Sequence, residues 1–342
     1  MPDTSLLAII NPTSGSAQAV SDDFDDSLRV ALEARDYHVT LRHTEAKGDA
    51  KSWAQAAAEE GFTAVLVAGG DGTLMEVVGG VVEAERRVPV WPIPMGTGNL
   101  LARSLQLSED PLEALEQLLD GESMAFDVGY IRNKAHYFLV AAGAGVDADT
   151  MRDADGDAKR KLGRFAYVIA SLRNLFKRRR HSIRLQILES HETQDDSRKA
   201  SSENATQNED DSQEQTIILR AHTVMIFNSS EVGPFNLGPG VTPHDGKLEI
   251  AVLRHTDLWS LLGDAWHLLF GTLHKRRTLQ SYSVHKAHID ADPPLLTQAD
   301  GDVLGDTPLD IEVLAKAVDI RIPQRYLKEL ANKQQRLDKS KS

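Results

Sequence analysis

The chain has 342 residues, no cysteine and a formal net charge of −13 at pH 7. This length suits about two ordinary domains, the lack of cysteine excludes disulfides, thiolate nucleophiles and cysteine-based zinc sites, and the acidic balance argues against nonspecific nucleic-acid binding. The first residues lack the basic and apolar regions of a signal peptide, and the longest apolar stretch, residues 258–273, is too short to span a bilayer. We therefore expect a cytoplasmic protein with no nucleic-acid partner.

The first third of the chain alternates short apolar runs with helical patterns. In chain order, strands are predicted at "LLAIINP", "HVTLRHT", "TAVLVAGG" and "VPVWPIP", and helices at residues 22–36, "AKSWAQAAAEEG", residues 74–86 and "NLLARSLQL". This alternation predicts a parallel sheet covered by helices, in which ligands bind at the carboxyl ends of the strands.

A glycine-rich or Asn-Pro turn follows the first, third and fourth of these strands: "NPTSG", "GGDGT" and "PMGTGN". Each turn offers backbone N–H groups ahead of a helix N-terminus, which attracts anions, and the hydroxyls of Ser14, Thr73 and Thr97 add donors. Three such sites at one edge predict a polyphosphate such as ATP, with Asp71 facing its metal ion. The alternative is that the glycines only form tight strand-to-helix turns. Neither a Walker A loop nor a complete dinucleotide fingerprint is present.

From about Phe126 the pattern changes to half-buried strands that alternate apolar and polar residues, as in "HSIRLQIL" and "KLEIAVLRH". These strands predict an antiparallel, β-rich second domain, which helical patterns at residues 160–177 and 257–273 interrupt. The acidic segment 189–215 has almost no apolar residues and predicts a disordered insertion between two hairpin strands. The polar end of the chain, residues 331–342, predicts a frayed tail.

Six motifs occur in the order "NPTSG", "GGDGTLMEVVGG", "PMGTGNLLARSL", "FDVGYI", "PHDGKLEIAVL" and "DGDVLGDTPLDIEVLAKAVDIRIP". Together they resemble the diacylglycerol kinase catalytic-domain family of bacterial soluble lipid kinases, to which sphingosine and ceramide kinases are more distantly related. The resemblance covers about residues 5–325. It implies an α/β nucleotide-binding domain over residues 1–127 and 305–330, and an antiparallel β-sandwich lipid domain over residues 128–304. It also implies that the active site lies in the cleft between them and that the end of the chain returns to the first domain.

The resemblance further implies that ATP binds at the turns of the first domain, that Thr44 also contacts it and that Glu76 lies close enough to assist. The sequence pattern alone predicts only a structural role for Thr44, at the end of a strand and as a helix cap. With the residues of the glycine turns, the expected nucleotide-binding set is Asn11, Pro12, Thr13, Ser14, Gly15, Thr44, Gly69, Gly70, Asp71, Gly72, Thr73, Leu74, Met75, Glu76, Gly96, Thr97, Gly98 and Asn99.

The family's catalytic element is an Asp-Gly-Glu whose glutamate acts as base on the lipid hydroxyl, and this chain has Asp300-Gly301-Asp302. The resemblance therefore implies that Asp302 is the general base and that Asp300 organises metal or phosphate. Phosphoryl transfer needs such a carboxylate beside Mg²⁺. Asp302 is one carbon shorter than a glutamate, which removes roughly 1.5 Å of reach. The alternative is a polar β-turn without chemistry.

The stretch "TPHDGKLEI" resembles the family loop that holds Mg²⁺ through one aspartate and two backbone carbonyls, here Asp245 with Thr242 and Lys247. Asp127 matches a family position that joins this network through water. Hard oxygen ligands suit Mg²⁺. A hairpin turn at Asp245-Gly246 is an equally compatible description. The twelve histidines show no metal-binding spacing, and we expect ordinary structural roles for them.

The sequence also offers two surfaces for a membrane lipid. The helix predicted at residues 257–273 is either a core helix or an interfacial helix, and the basic groups at residues 176–180 and 274–277 would then face anionic headgroups. The resulting hypothesis is an ATP- and Mg²⁺-dependent lipid kinase that acts on a hydroxyl of a diacylglycerol-like lipid at the inner face of the membrane. The alternatives are a kinase of NAD-like small molecules and a non-catalytic, nucleotide-responsive lipid-binding protein. Assembly into a homodimer is left open.

Overall fold

The computed structural model describes residues 4–14, 22–145, 181–189, 213–221, 223–229, 231–232, 235–236, 242–253 and 279–341. Its first part alternates strands and helices as the sequence pattern predicts. The elements are β1 (Thr4–Ile10), α1 (Asp22–Glu33), β2 (Tyr37–His43), α2 (Asp49–Ala56), β3 (Ala64–Gly69), α3 (Asp71–Glu83), β4 (Val90–Pro94), α4 (Leu100–Ser104) and α5 (Pro111–Leu119).

Two helices differ from the sequence prediction. Helix α3 begins at Asp71 rather than at residue 74, so that the "DGT" of the glycine motif forms its first turn. Helix α5 was not predicted, although its start carries local signals: the Asp110 side chain accepts hydrogen bonds from the N–H groups of Leu112 and Glu113, and Pro111 is its first residue.

The first part of the chain forms a parallel sheet in the order β2-β1-β3-β4. This sheet continues through β18 (Leu309–Ile322), which runs parallel to β4 where Ile320 pairs with Val90 and antiparallel to β5 (Glu122–Ile131). The end of the chain therefore returns to the first domain, as the family resemblance implies.

The second part consists of short strands. They are β6 (His136–Phe138), β7 (Ala141–Ala144), β8 (His181–Glu189), β9 (Gln213–Ala221), β10 (Thr223–Phe227), β11 (Glu231–Val232), β12 (Phe235–Asn236), β13 (Leu248–Leu253), β14 (Leu279–Val284), β15 (Lys286–Asp292), β16 (Leu296–Ala299) and β17 (Asp302–Asp306). Strands β14-β13-β10-β7-β16-β17 make an antiparallel sheet.

The second sheet packs against the extension of the first, in which β18 is followed by β15, β8 and β9. Side chains of both layers, such as Ile289 on β15 and Ile226 on β10, share one apolar core. The architecture is thus an α/β domain joined to an antiparallel β-sandwich. Because β5 and β18 run through both domains, the boundaries at residues 127/128 and 304/305 stay a prediction.

The hairpin predicted around the acidic segment is present, with narrower limits for the insertion. Strands β8 and β9 pair over their whole length, from His181 with Ala221 to Glu189 with Gln213. Residue 189 and residues 213–215 therefore belong to the strands, because ladder hydrogen bonds hold them, and residues 190–212 lie outside the described residues. The helical patterns at 160–177 and 257–273, together with both basic groups, also lie outside them.

The prediction of a frayed tail is wrong for residues 331–341, which continue helix α6 (Gln324–Lys341). The helix is amphipathic: Tyr326 is buried in the first core, and Leu327 and Leu330 pack against that core. Among the described residues, no helix is long and apolar enough to cross a membrane.

Candidate active site

The turns after β1, β2, β3 and β4 lie side by side at one edge of the parallel sheet. The N–H of Thr44 donates to the carbonyl of Ile10, that of Asn11 to Ala68 and that of Met95 to Gly69, each at 2.9 Å. The ladder thus extends one residue beyond the strands and brings the three turns together with Thr44 at this edge, as the sequence and the family resemblance predict. That the turns bind an anion stays a prediction.

Side chains of the first turn fix it to the second. The Asn11 side-chain amide donates to the Thr73 hydroxyl at 2.7 Å, and the Ser14 hydroxyl accepts from the N–H of Gly70 at 3.2 Å. Asn11 also accepts from the N–H and the hydroxyl of Thr13, at 3.0 and 2.9 Å. Both hydroxyl groups that link the turns keep the capacity to donate one hydrogen bond to a ligand.

Glycine allows the second and third turns to touch. A Cβ atom built at Gly96 would lie 2.6 Å from the Cα of Gly70 and 2.9 Å from the side-chain oxygen of Asn99. That oxygen accepts from the N–H of Gly96 at 2.9 Å, while the Asn99 amide donates to the Gly96 carbonyl at 2.7 Å. At Gly70 and Gly96, close packing of the two turns is therefore a sufficient reason for glycine. Asn99 holds its own turn in place.

Gly72 is different, because the protein itself does not require a glycine there. It is exposed in the first turn of α3, and no atom lies within 4 Å of the position that a Cβ would take. Gly70, the N-cap residue, provides no side-chain cap to the helix. Among the described residues, no side chain caps the N–H groups of Gly72 and Thr73 at the start of this helix of 13 residues, an arrangement that fits a phosphate group.

Asp71 contacts the start of α4, whereas the sequence predicts that it faces a metal ion. One of its carboxylate oxygens accepts the N–H of Leu100 at 2.6 Å, and a Cβ at Gly98 would lie 2.5 Å from the other. Burial raises the pKa of Asp71, against the lowering effect of these backbone hydrogen bonds. Asp71 therefore joins the starts of α3 and α4, and its placement toward a metal ion stays a prediction.

The remaining nucleotide-binding candidates divide by exposure. Thr13, Pro12 and Thr97 are exposed at the edge of the sheet. The Glu76 carboxylate accepts the N–H of Gly48 at 3.0 Å and so holds the loop that follows Thr44. The side chains of Leu74 and Met75 are buried in the first core, and their contact with a nucleotide stays a prediction. Gly15 lies outside the described residues.

Asp300 is buried and binds the backbone of the second domain. Its carboxylate accepts the N–H groups of Leu139 at 2.7 Å, Val140 at 3.2 Å and Ala141 at 2.8 Å. These bonds hold the segment between β6 and β7 and interrupt the run "HYFLVAAGAGV", whose pattern by itself predicts one continuous strand. Burial raises the pKa of Asp300 to about 7, and the Asp71 carboxylate adds to this rise. The two carboxylates thus lie within electrostatic reach of each other across the two domains.

The observed partners of Asp300 indicate a structural role, whereas its expected role in organising metal or phosphate stays untested. Asp300 and Gly301 have φ angles of 43° and 97°, so the chain reverses here in left-handed conformations. The N–H of Asp300 also donates to the carbonyl of Ala141 at 2.8 Å. Asp300 therefore anchors the turn that presents Asp302.

Asp302, the predicted base, begins β17 and leaves 57% of its side chain exposed. Its nearest ionisable neighbour is a residue that sequence reasoning missed: Nε2 of His136 lies 4.0 Å from Asp302 Oδ2. That nitrogen is buried and has no hydrogen-bond partner in the part of the chain that the structure describes. The two residues are far apart in sequence and match no spacing motif, so only the fold reveals their proximity.

The loop at residues 242–247 has the oxygen donors expected for Mg²⁺. The Asp245 carboxylate accepts the Thr242 hydroxyl and the N–H of Lys247, each at 3.0 Å, and keeps free lone pairs. Asp127 contacts this loop directly: its carboxylate accepts the N–H of Gly246 at 2.6 Å and that of Lys316 at 2.7 Å. One carboxylate with two carbonyls and water suits Mg²⁺. In the described part of the chain, no cluster of three or more His, Asp or Glu side chains could hold a metal ion.

Comparisons with known proteins agree with this arrangement. A profile described as "Diacylglycerol kinase catalytic domain" matches residues 5–131, and one described as "YegS C-terminal NAD kinase beta sandwich-like domain" matches residues 140–322. The diacylglycerol kinases of Staphylococcus aureus strains bovine RF122 / ET3-1 and MRSA252 are each 37% identical over 161 residues, which is 47% of this chain and 50% of theirs. The chain thus spans about half the length of the curated relatives that it matches.

Solved structures extend the likeness of fold to nearly the whole chain. The crystal structure of a diacylglycerol kinase from Bacillus anthracis str. Sterne superimposes with a TM-score of 0.69 at 22% identity, over 94% of this chain and 98% of that one. A second structure from the same strain gives 0.71 at 21% identity, over 95% and 97% of the two chains. The second profile spans more than half of the chain, so this chain belongs to the family with a YegS C-terminal NAD kinase beta sandwich-like domain, which is here preceded by a diacylglycerol kinase catalytic domain.

Proposed function

We propose that the protein is an ATP- and Mg²⁺-dependent lipid kinase that phosphorylates a hydroxyl of a diacylglycerol-like lipid. The observation that carries the proposal is the first turn of α3: beside the linked turns of Asn11 and Ser14, it presents an exposed Gly72 that the packing of the protein does not require. In the proposed arrangement this helix start binds the phosphates of ATP, and the exposed carboxylate of Asp302, on the turn that Asp300 anchors, serves as the base. Phosphoryl transfer needs both of these parts.

Each part of the proposed reaction has named groups. The N–H groups of α3, with the hydroxyls of Ser14 and Thr73, bind the phosphates of ATP and hold them in place. The lipid hydroxyl oxygen forms a bond to the γ-phosphorus, the bond from that phosphorus to the ADP oxygen breaks, and the hydroxyl proton passes to Asp302. Mg²⁺ bound with the nucleotide supplies neutralisation of charge on the phosphate oxygens. A second Mg²⁺ at Thr242, Asp245 and Lys247 would stiffen the loop that Asp127 contacts.

The lipid acceptor requires contact with a membrane. We propose that the protein works in the cytoplasm and binds transiently to the inner face of the membrane, because a diacylglycerol-like lipid does not leave the bilayer. Net charge of −13 on the whole chain disfavours broad electrostatic attachment to anionic lipid, so the contact must be local.

Transfer of labelled γ-phosphate from ATP to a total-lipid extract tests the proposal. The assay is run with and without Mg²⁺, with NAD as a competing acceptor, and with Asp302→Ala as control. We expect one Mg²⁺-dependent labelled lipid, which the variant does not form. Label in NAD would instead support the small-molecule kinase, and ATP binding without any labelled product would support the non-catalytic alternative.

A further inference from the structure

His136 carries a buried polar atom that has no hydrogen-bond partner among the described residues. Its Nε2 is one of three such side-chain atoms among the described residues, and its side chain is 22% exposed. An unpaired buried group of this kind destabilises the folded state, so its presence needs a reason. Burial lowers the pKa of His136, which favours the neutral imidazole with one N–H donor and one acceptor nitrogen.

An acceptor lies just beyond hydrogen-bond distance. Asp302 Oδ2 is 4.0 Å from the unpaired nitrogen, and the Asp302 side chain is exposed enough to rotate. A movement of roughly 1 Å brings the two atoms to the usual distance of a charge-assisted hydrogen bond. Apart from Asp302, the only charged group that acts on the imidazole in the described part of the chain is Lys47, in the loop between β2 and α2.

The fold fixes the strand of Asp302 against the turn that precedes His136. Asn133 donates to the carbonyl of Pro308 at 2.8 Å and accepts the N–H of Asp310 at 3.1 Å, while Lys134 Nζ donates to the carbonyl of Asp306 at 2.9 Å. The chain then turns sharply at a left-handed residue, Ala135, with φ of 49°, and enters β6. The far end of β17 is therefore held by the same turn that places the imidazole beside its first residue.

We propose that His136 is a positioning residue for the catalytic base: Nε2–H donates to one carboxylate oxygen of Asp302 and directs the other toward the lipid hydroxyl. This inference rests on the proposed function, in which Asp302 takes the hydroxyl proton. The reason lies in the length of the side chain. Asp302 is shorter than the glutamate of the family motif and is largely exposed, so without a partner it samples several rotamers. A fixed donor on β6 restricts it to one.

The pairing is tested first without any enzymatic assay. The imidazole of His136 is titrated by NMR in the wild type and in Asp302→Asn, with Asp306→Asn, an exposed aspartate on the same strand, as matched control. Asp302 opposes the lowering of the His136 pKa, so we expect this pKa to fall further in Asp302→Asn and to stay unchanged in the control. The same pKa in all three proteins would overturn the pairing.

The role in catalysis is tested by a double-mutant cycle on lipid phosphorylation. We expect His136→Ala to lower kcat roughly 10- to 100-fold with little change in the KM for ATP, and His136→Gln, which keeps an N–H near the position of Nε2, to recover part of the loss. In the Asp302→Glu background, His136→Ala should cost much less, because the longer side chain reaches the hydroxyl unaided. Equal losses in both backgrounds, or a glutamine variant as slow as the alanine variant, would overturn the positioning role. If the wild type phosphorylates no lipid, the proposed function fails, while the titration still decides whether the pairing exists.

Discussion

The side chain of Asp302 is 57% exposed, whereas that of Asp300, two residues earlier, is 6% exposed and accepts three backbone hydrogen bonds. The sequence motif predicts two acidic residues at the active site but not this division of roles. The difference arises from a tertiary contact, because the N–H groups that bind Asp300 come from the segment between β6 and β7.

For the exposed residue, we predict that Asp302→Ala lowers lipid phosphorylation about 10²- to 10⁴-fold, the usual effect of losing a general base. The affinity for ATP should not change, because the nucleotide contacts the first domain. Measured turnover and ATP titration calorimetry check the two parts. Asp302→Glu is the informative companion: faster turnover would show that the shorter aspartate limits the wild-type rate. Full turnover by the alanine variant would contradict the assignment of the base.

For the buried residue, we predict a stability that depends on pH. The pKa of Asp300 is about 7 in the folded protein against 3.8 for the ordinary group, so the folded state binds the extra proton between these values. The free energy of unfolding should therefore fall as pH rises from about 4 to 7, by an amount on the order of a few kcal/mol. Denaturant unfolding at several pH values measures this slope. Asp300→Asn should flatten it and Asp306→Asn should not; an unchanged slope in Asp300→Asn would contradict the prediction.

At the scale of elements, a substitution in the first turn of α3 can test ligand binding and folding separately. Gly72→Ala places a methyl group where no protein atom is near, and alanine is favoured over glycine in a helix by about 0.5–1 kcal/mol. We expect the variant to fold at least as stably as the wild type and to bind ATP at least tenfold more weakly, because the methyl group occupies the approach to the N–H groups at the start of the helix. Titration calorimetry with ATP and thermal melts provide the two readouts.

Gly96→Ala is the matched comparison, because its methyl group would meet the Cα of Gly70 at 2.6 Å and force two turns apart. This variant should lose stability, by about 1–3 kcal/mol as in other overpacked sites. Unchanged ATP affinity in Gly72→Ala would indicate that the nucleotide does not use the start of α3.

The loop between β12 and β13 can be tested as a metal site. A site that binds Mg²⁺ only in the folded state raises the melting temperature progressively once the free Mg²⁺ concentration exceeds its dissociation constant. We predict that millimolar Mg²⁺ without nucleotide raises the melting temperature of the wild type and not that of Asp245→Ala. Glu249→Ala, which removes a carboxylate near the start of the following strand, is the control and should keep the response. An identical response in the wild type and Asp245→Ala would leave the loop as a hairpin turn without a metal.

For the whole molecule, the sequence predicts local features better than the connections between them. The succession of β1 to β4 along the chain follows from alternating apolar runs, and the meeting of three turns follows from the geometry of parallel strands. The pairing of His136 with Asp302, the anchoring of Asp300 and the continuity of one sheet through β18 depend on contacts between residues far apart in the chain. Periodicity contains no information about such contacts. The break between β6 and β7 shows the limit well, because an aspartate from a distant turn ends a strand that its own residues favour.

The continuous sheet leads to a prediction about cooperativity. Because β5 and β18 contribute side chains to both apolar cores, neither domain can lose these strands without exposing the core of the other. We predict one calorimetric endotherm with equal calorimetric and van't Hoff enthalpies. Ile250→Ala in the second core, where the residue is fully buried, should cost about 2–5 kcal/mol and move the whole endotherm to lower temperature.

Ile9→Ala, at an equally buried position in the first core, is the matched variant and should move the same single endotherm. If the endotherm splits, and each variant shifts only one component, the two domains unfold independently and the shared strands do not couple them. A single transition that both variants shift would instead mean that ATP binding at the first domain also stabilises the turn that presents Asp302. The nucleotide would then help to order the catalytic base through the sheet that the two domains share.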